Sequence, residues 1–340
     1  MSRFLAGMIL AWAAGAIAAE QPVTRIGFGS CYKPEKSTVL WEAVEAFNPQ
    51  IWLWLGDNVY ADIIDGEYYK KNLPKDAFTL AYDRLGKSEG IATLKSLPPG
   101  HMMATWDDHD FGLNDAGQGW ERKQEAKHAF QKFWGGEERA DGVYSSRDFG
   151  PEGRRIRVIL LDTRYQREDP GPEADPLGPQ QWEWLEGELG RPGAQVILVG
   201  SSIQVLPEGH RFEKWANFPT SKKRLLQMLE NVEAVKIVLL SGDRHHGEIL
   251  CRSEGGGRSL FEGTSSGITE GYEKRWQSEW ASLKGARPWR YRDGIEPRRI
   301  MDAFFGRNFG TIEIQWNGNE AILSLAIRTE EGQVARKVVF

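Results

Sequence analysis

Apolar residues in this chain come in short unbroken runs separated by stretches with helical spacing, and the two alternate as far as Ser241. Thr24 to Phe28, Ile51 to Leu55, His101 to Trp106, Val143 to Arg147, Arg155 to Leu161, Gln195 to Val199 and Val235 to Leu240 read as strands. Thr38 to Phe47 reads as a helix capped by Ser37, and Trp120 to Trp134 and Ser221 to Asn231 as further helices. Pro179 to Leu189 is a helix opened by proline in its first turn. Glu67 to Leu97 has helical character, interrupted at Pro74 and near Gly86. Beyond Ser241 the long helices stop. Ile249 to Arg252, Ser259 to Glu262, Thr311 to Trp316, Ala321 to Ile327 and Ala335 to Val339 read as strands, with a Trp-, Arg- and Gly-rich irregular insertion over 266–308. An α/β first part with a β-rich end predicts one α/β domain of two packed sheets with helices outside.

Composition adds limits rather than a function. With 340 residues, 40% hydrophobic and 27% charged, the chain has material for a large core. A net charge of -5 and a pI near 5.8 argue against a general electrostatic grip on nucleic acid, so an anionic substrate needs local cations or bound metal. The N-terminus carries Arg3, an apolar run from Phe4 to Ala14 and Ala16-Ile17-Ala18 before Ala19. That pattern predicts a secretory signal peptide over 1–18, without a paired arginine, and an exported mature domain over 19–340 with no membrane anchor. Cys31 and Cys251 are the two cysteines, and in an exported chain a disulfide between them competes with any other use of Cys31.

The apolar runs end alike. One closes on Cys31, the next on Asp57 and Tyr60, the third on Asp107, Asp108, His109 and Asp110, another on Ser201, Ser202 and Gln204, and VKIVLLSGDRHH on Asp243, His245 and His246. A single Asp after a strand is usually a turn residue. Several strand ends all offering Cys, Asp, Tyr or His point instead to a shared crevice at the carboxyl ends of the strands. Cys31, Asp57, Tyr60 and His245 suit a highly charged transition metal such as iron(III). Asp108, Asn114 and Asp243 are oxygen donors that suit calcium, magnesium or manganese, and Asp57 can bridge the two groups. Two neighbouring cations supply a hydroxide and clamp the oxygens of an in-line displacement, which is the chemistry of phosphoester hydrolysis.

Gly56-Asp57-Asn58-Val59-Tyr60-Ala61-Asp62 resembles the block through which purple acid phosphatases hold iron(III) by tyrosine. With Gly29-Ser30-Cys31, Trp106-Asp107-Asp108-His109-Asp110, Leu161-Asp162-Thr163-Arg164 and Gly242-Asp243-Arg244-His245, the set is most similar to the alkaline phosphatase D (PhoD-like) family of the metallophosphoesterase superfamily. The resemblance implies a four-layer α/β/β/α sandwich of two mixed sheets flanked by helices. It implies an iron(III) ion held by Cys31, Asp57, Tyr60 and His245. Asp57 would bridge to a calcium ion held by Asp108 or Asn114 and by Asp243, with manganese, magnesium or zinc as substitutes there. His109 takes the place of the acid that protonates the leaving group. Spacing leaves open which of Asp107, Asp108 and Asn114 touches metal. Where related enzymes place a metal-binding histidine, this chain has Ser201-Ser202-Ile203-Gln204, which points to oxygen or amide ligation at the second cation.

Plainer readings stand beside these. Tyr60 also fits an ordinary strand-end tyrosine, His246 a supporting or surface position, and His101, His128 and His210 structural or exposed ones. Lys33, Arg164 and Arg244 are each suited to grip a phosphate or to pair with a neighbouring carboxylate, and Arg164 is the strongest of the three. The function expected is an exported phosphatase acting on small phosphate esters through a metal-bound hydroxide. Two alternatives remain: a phosphodiesterase or phospholipase on the same site, and a non-catalytic exported phosphate- or metal-binding protein.

Overall fold

The apolar runs are unbroken because both faces of each strand are covered, each by a different layer. In β2 (Ile51–Leu55), Ile51, Leu53 and Leu55 enter one apolar cluster while Trp52 and Trp54 enter another. In β8 (Val196–Ser201), Val196 and Leu198 join the same cluster as Leu53, and Ile197 and Val199 face a third. The shared cluster is the layer between two sheets, and the other two lie beneath helices. This is the period-two alternation of a pleated strand, with both sides apolar. The computed structural model describes residues 20–36, 38–136, 138–232, 236–253, 259–271 and 298–340. The expected leader at 1–18, the capping Ser37 and the greater part of the insertion lie outside these residues.

Among the described residues the first sheet has six strands, in the order β15 (Val334–Val339), β14 (Glu320–Thr329), β13 (Asn308–Asn317), β1 (Arg25–Gly29), β2, β5 (Met102–Thr105). The second has seven described strands: β12 (Arg298–Arg299), β10 (Gly247–Arg252), β11 (Leu260–Ser265), β9 (Lys236–Ser241), β8, β7 (Ile156–Leu160), β6 (Ser145–Phe149). Helices α1 (Leu40–Phe47), α2 (Ala77–Gly86), α3 (Glu89–Leu94) and α5 (Lys123–Trp134) cover the first sheet through Trp41, Phe78, Leu94 and Phe130. Helices α6 (Pro179–Gly190) and α7 (Pro219–Glu230) cover the second through Trp182, Leu185, Leu225 and Leu229. The architecture is the expected α/β/β/α sandwich. None of the described helices is long and apolar enough to cross a membrane.

Some elements differ from expectation. Glu67–Tyr68 (β4) is not helical but pairs with Ile63–Ile64 (β3) in a small hairpin. Two-residue strands carry no periodic signal, and the left-handed Asp65 and Gly66 between them make the turn. A four-residue helix, α4 (Asp108–Phe111), follows β5 where the sequence pattern predicts no element.

Two groups of neighbouring strands run parallel: β1, β2 and β5 in one sheet, and β7, β8, β9 and β11 in the other. Their carboxyl ends therefore open onto one edge of the sandwich, where the loops carrying Cys31, Asp57, Asp107, Ser202 and Asp243 meet. Because the inter-sheet layer sets the height of those loops, truncating it should act on the whole domain. Leu198→Ala is expected to cost about 2–5 kcal/mol, read from the denaturant midpoint. A cost below about 1 kcal/mol would show that the sheets do not depend on this layer.

Candidate metal centre

The loops at this edge are tightly turned. Cys31, Asp57, Asp243 and His245 all take left-handed backbone conformations, with φ of 59°, 50°, 65° and 52°. That region costs non-glycine residues energy and persists where surroundings over-determine it. The glycines beside them let the loops touch. A Cβ on Gly56 would stand 2.6 Å from Asp107 Cβ, and one on Gly242 would stand 2.8 Å from the Leu55 carbonyl oxygen. With Gly56 also 3.0 Å from Ser202 Cβ of the other sheet by the same measure, the two Gly-Asp pairs are contact points between the sheets, each turning its aspartate toward the same space.

Asp57 is the centre of that space. Its Oδ2 accepts from the Cys31 thiol and from the Tyr60 hydroxyl, both at 3.3 Å. Donor atoms of Cys31, Asp57 and His245 lie within 4.8 Å of one another, as do those of Asp57, Asp107 and Asp243, and of Asp57, Asp108 and His109. Both cysteines carry free thiols, Cys31 buried in the site and Cys251 half-buried on β10, so the disulfide alternative is not adopted. Among the described residues, three buried carboxylate oxygens have no hydrogen-bond partner: Asp57 Oδ1, Asp107 Oδ2 and Asp108 Oδ1. A buried, unpaired carboxylate is among the most costly groups a protein can carry. Cations in their midst would supply the missing partners, and the anionic donor set fits hard metal ions.

Electrostatics point the same way. Burial pushes the carboxyls of Asp57 and Asp107 well above their ordinary range, against the pull of His109 and Arg164 respectively, and lifts Asp243 to about 7 despite Arg244. Burial also raises the Cys31 thiol and the Tyr60 phenol well above their usual values. In each of these groups burial disfavours the charged form, a cost that a cation in the site would offset. His245 is lowered to about 3 by burial and by Arg244 and His109, which keeps it the neutral imidazole that a ligand must be. For Asp108 burial works upward, but His109 and Arg164 outweigh it and bring the carboxyl down to about 2.

His109 is held by Asp62. Its Nδ1 lies 2.8 Å from Oδ1 and 2.9 Å from Oδ2 of the fully buried Asp62. Burial alone would lower this imidazole, yet Asp108, Asp57 and Asp62 together raise it well above its usual value. Its ring rests on that of Tyr60, with centroids 4.2 Å apart. Asp62 reads in the sequence as support for its loop, because its partner is 47 positions away.

Other expectations need correction. Arg164 does not face the crevice: its guanidinium is fully buried, bonded to Asp107 Oδ1 at 2.5 Å and to Glu213. Glu213 also pairs with Arg167, so the cation expected on phosphate instead anchors the carboxylates from behind. Gln204 and Ser202 are not placed as ligands. The Gln204 amide donates to Glu248 at 2.6 Å and to Thr264 at 2.8 Å, and Ser202 Oγ donates to Asp107 Oδ1 at 2.9 Å. Asn114 stays exposed on the turn after α4, while the neighbouring Asp115 N–H donates to Asp108 Oδ2 at 2.7 Å. Asp107, left open by spacing, enters the site alongside Asp108. Of the alternatives open for His246 and His210, the supporting and the structural ones hold: both are buried, His246 lying 3.1 Å from Glu248 and His210 bonding Gln204 at 3.1 Å. Two motif aspartates are braces. Asp110 accepts from the backbone N–H groups of Asn58 and Asp107, and Asp162 from those of Arg164, Tyr165 and Val143.

The PhoD-like phosphatase family profile matches residues 27–254. The chain belongs to the PhoD-like phosphatase family. That stretch contains every residue of the site described above, and the family makes the protein a phosphoric ester hydrolase. Among solved structures, PhoD itself is similar over 94% of this chain and 72% of its own, at a TM-score of 0.66 and 16% identity. A purple acid phosphatase from yellow lupin (Lupinus luteus) seeds is similar over 94% of this chain and 54% of its own, at a TM-score of 0.58 and 13% identity. An anchor protein of the Plasmodium inner membrane complex is similar over 94% of this chain and 88% of its own, at a TM-score of 0.56 and 12% identity. At these identities the likenesses speak for the fold. A search of curated protein sequences finds no match to the PhoD-like chain.

The buried position of Arg164 gives a prediction that separates support from substrate binding. Arg164→Met leaves Asp107 and Glu213 without their shared cation and should cost about 3–5 kcal/mol, read from the denaturation midpoint. A phosphate-gripping arginine at the surface would instead change KM and leave the midpoint alone.

Proposed function

We propose that this PhoD-like protein is an exported phosphatase that hydrolyses small phosphate esters at a two-cation centre. Cys31, Asp57, Tyr60 and His245 would hold an iron(III)-type ion, and Asp57, Asp108 and Asp243 a calcium-type ion, with Asp107 Oδ2 turned to the same space. The observation that carries this reading is the trio of buried, unpartnered carboxylate oxygens on Asp57, Asp107 and Asp108. When bound, such cations supply a nucleophile from water at neutral pH and offset the charge that develops on the phosphoryl oxygens.

The chain's own residues divide the remaining work. Asp107 is kept in place by Arg164 and Ser202, so one oxygen is anchored while the other is free to serve the site. His109 is the acid: with Nδ1 committed to Asp62, Nε2 is the nitrogen left to pass a proton to the departing ester oxygen. The charge on Asp62 keeps the ring in that tautomer and favours the imidazolium. A protein that only binds phosphate or metal has no use for such a positioned acid, which favours the catalytic reading. Export rests on the apolar leader from Phe4 to Ala14 and the Ala16-Ile17-Ala18 site that follows it.

Three outcomes test this. Metal-replete protein should hydrolyse 4-nitrophenyl phosphate, lose activity to a chelator and regain it with metal; no turnover of this substrate or of bis(4-nitrophenyl) phosphate would sink the reading. His109→Gln should lose roughly 10²–10⁴-fold in rate on an alkyl phosphate, whose leaving group needs a proton, and far less on the nitrophenyl ester. Equal losses on the two would remove His109 from the acid's role. Iron(III) on a phenolate absorbs visible light, so metal-replete protein should be coloured and Tyr60→Phe should not. A colourless active enzyme would take Tyr60 out of the ligand set.

A further inference from the structure

With Arg164 turned inward, Lys33 is a cationic side chain that stands at the mouth of the site. The Lys33 ammonium lies 4.4 Å from the centroid of the Tyr60 ring. That ring carries the hydroxyl bonded to Asp57 Oδ2 at 3.3 Å and rests against His109. The ammonium therefore packs on the ring whose hydroxyl reaches the donor set. Its backbone is pinned there: Lys33 N–H donates to Thr269 Oγ1 at 2.8 Å, and Thr269 Oγ1 in turn donates to the Cys31 carbonyl at 3.2 Å.

The charge balance around Lys33 is uneven. Its ammonium is 3.2 Å from Glu270 Oε2, with side chains 15% and 13% exposed. The other oxygen of Glu270 takes Lys36. Among the described residues, two ammonium groups share this one carboxylate, one positive charge more than it can balance. Lys33 can also leave Glu270 without stranding it, because Lys36 remains. Arg164 cannot do the same, since its departure would leave Asp107 and Glu213 buried and unpaired.

We infer that Lys33 binds the non-bridging oxygens of the substrate's phosphoryl group, exchanging Glu270 for it, and that this cation biases the site toward dianionic phosphomonoesters over monoanionic diesters. The inference rests on the reading of the centre as a phosphatase site. A monoester phosphoryl group carries close to two negative charges near neutrality and three acceptor oxygens. A diester carries one charge and has an acceptor replaced by a second substituent. One ammonium at the mouth thus gains more from the monoester, both in Coulomb attraction and in charge-assisted hydrogen bonds.

The test compares 4-nitrophenyl phosphate with bis(4-nitrophenyl) phosphate on metal-replete wild type, Lys33→Met, Lys33→Arg and Glu270→Gln. Lys33→Met should lower kcat/KM on the monoester by roughly 10–100-fold and on the diester by less than about 3-fold, with bound metal unchanged. Lys33→Arg should restore most of the loss, and Glu270→Gln, which frees Lys33 of its competitor, should raise the monoester-to-diester ratio. Competitive inhibition by inorganic phosphate should weaken in Lys33→Met by a factor similar to that on the monoester, a readout that needs no chemistry on the phosphate. An unchanged ratio in Lys33→Met, whether both substrates fall together or neither falls, overturns the inference. Inactivity of the wild type on both substrates would instead overturn the reading of the centre itself.

Discussion

The molecule gathers the buried Asp57, Asp107 and Asp108 and the half-buried Asp243 around one space and gives them too few protein partners, and the rest of the site is arranged around that imbalance. Burying a carboxylate costs several kcal/mol unless it is paired. The protein meets part of the cost with Arg164, which ties Asp107 to Glu213, and with His109, which sits between Asp62 and the central carboxylates. It leaves one oxygen each on Asp57, Asp107 and Asp108 unanswered. Those oxygens define where positive charge belongs, and the raised Cys31, Tyr60 and Asp57 groups define how much it must offset.

The scaffold makes the imbalance sustainable. Parallel strands of both sheets end at the same edge, and the layer of Leu53, Leu198 and Leu240 between them sets the separation of their loops. Gly56 and Gly242 bring those loops into contact, and Asp110 and Asp162 absorb the backbone N–H groups that such turns leave over. Each brace lies one step behind a ligand candidate, so rigid supports hold the site while Lys33 at the rim keeps a replaceable partner in Glu270.

The strands could be read from the sequence, and β2 to the residue, because burial on both faces produces an unbroken apolar run. The hairpin at Ile63–Tyr68 could not, since two-residue strands have no period. Cys31, Asp57, Tyr60, Asp108, Asp243 and His245 could be picked out because each closes such a run, and the fold brings them to one place. Their partners were harder. Whether Arg164 faces phosphate or carboxylate depends on Glu213, 49 positions away, and Asp62 finds His109 only through the fold. Gln204 looked like a ligand because it follows a strand, but its amide is taken up by Glu248, Thr264 and His210, all brought there by tertiary packing.

The central claim is that the carboxylates around Asp57 are completed by cations. The most direct measurement is elemental analysis of the purified protein alongside its thermal midpoint, for wild type and Asp57→Asn, before and after dialysis against chelator. Wild type should hold two metal ions tightly per chain, and its midpoint should fall when they are removed. Asp57→Asn should lose both ions and no longer respond to chelator. Wild-type protein that takes up no metal and keeps the same midpoint with and without chelator would contradict it.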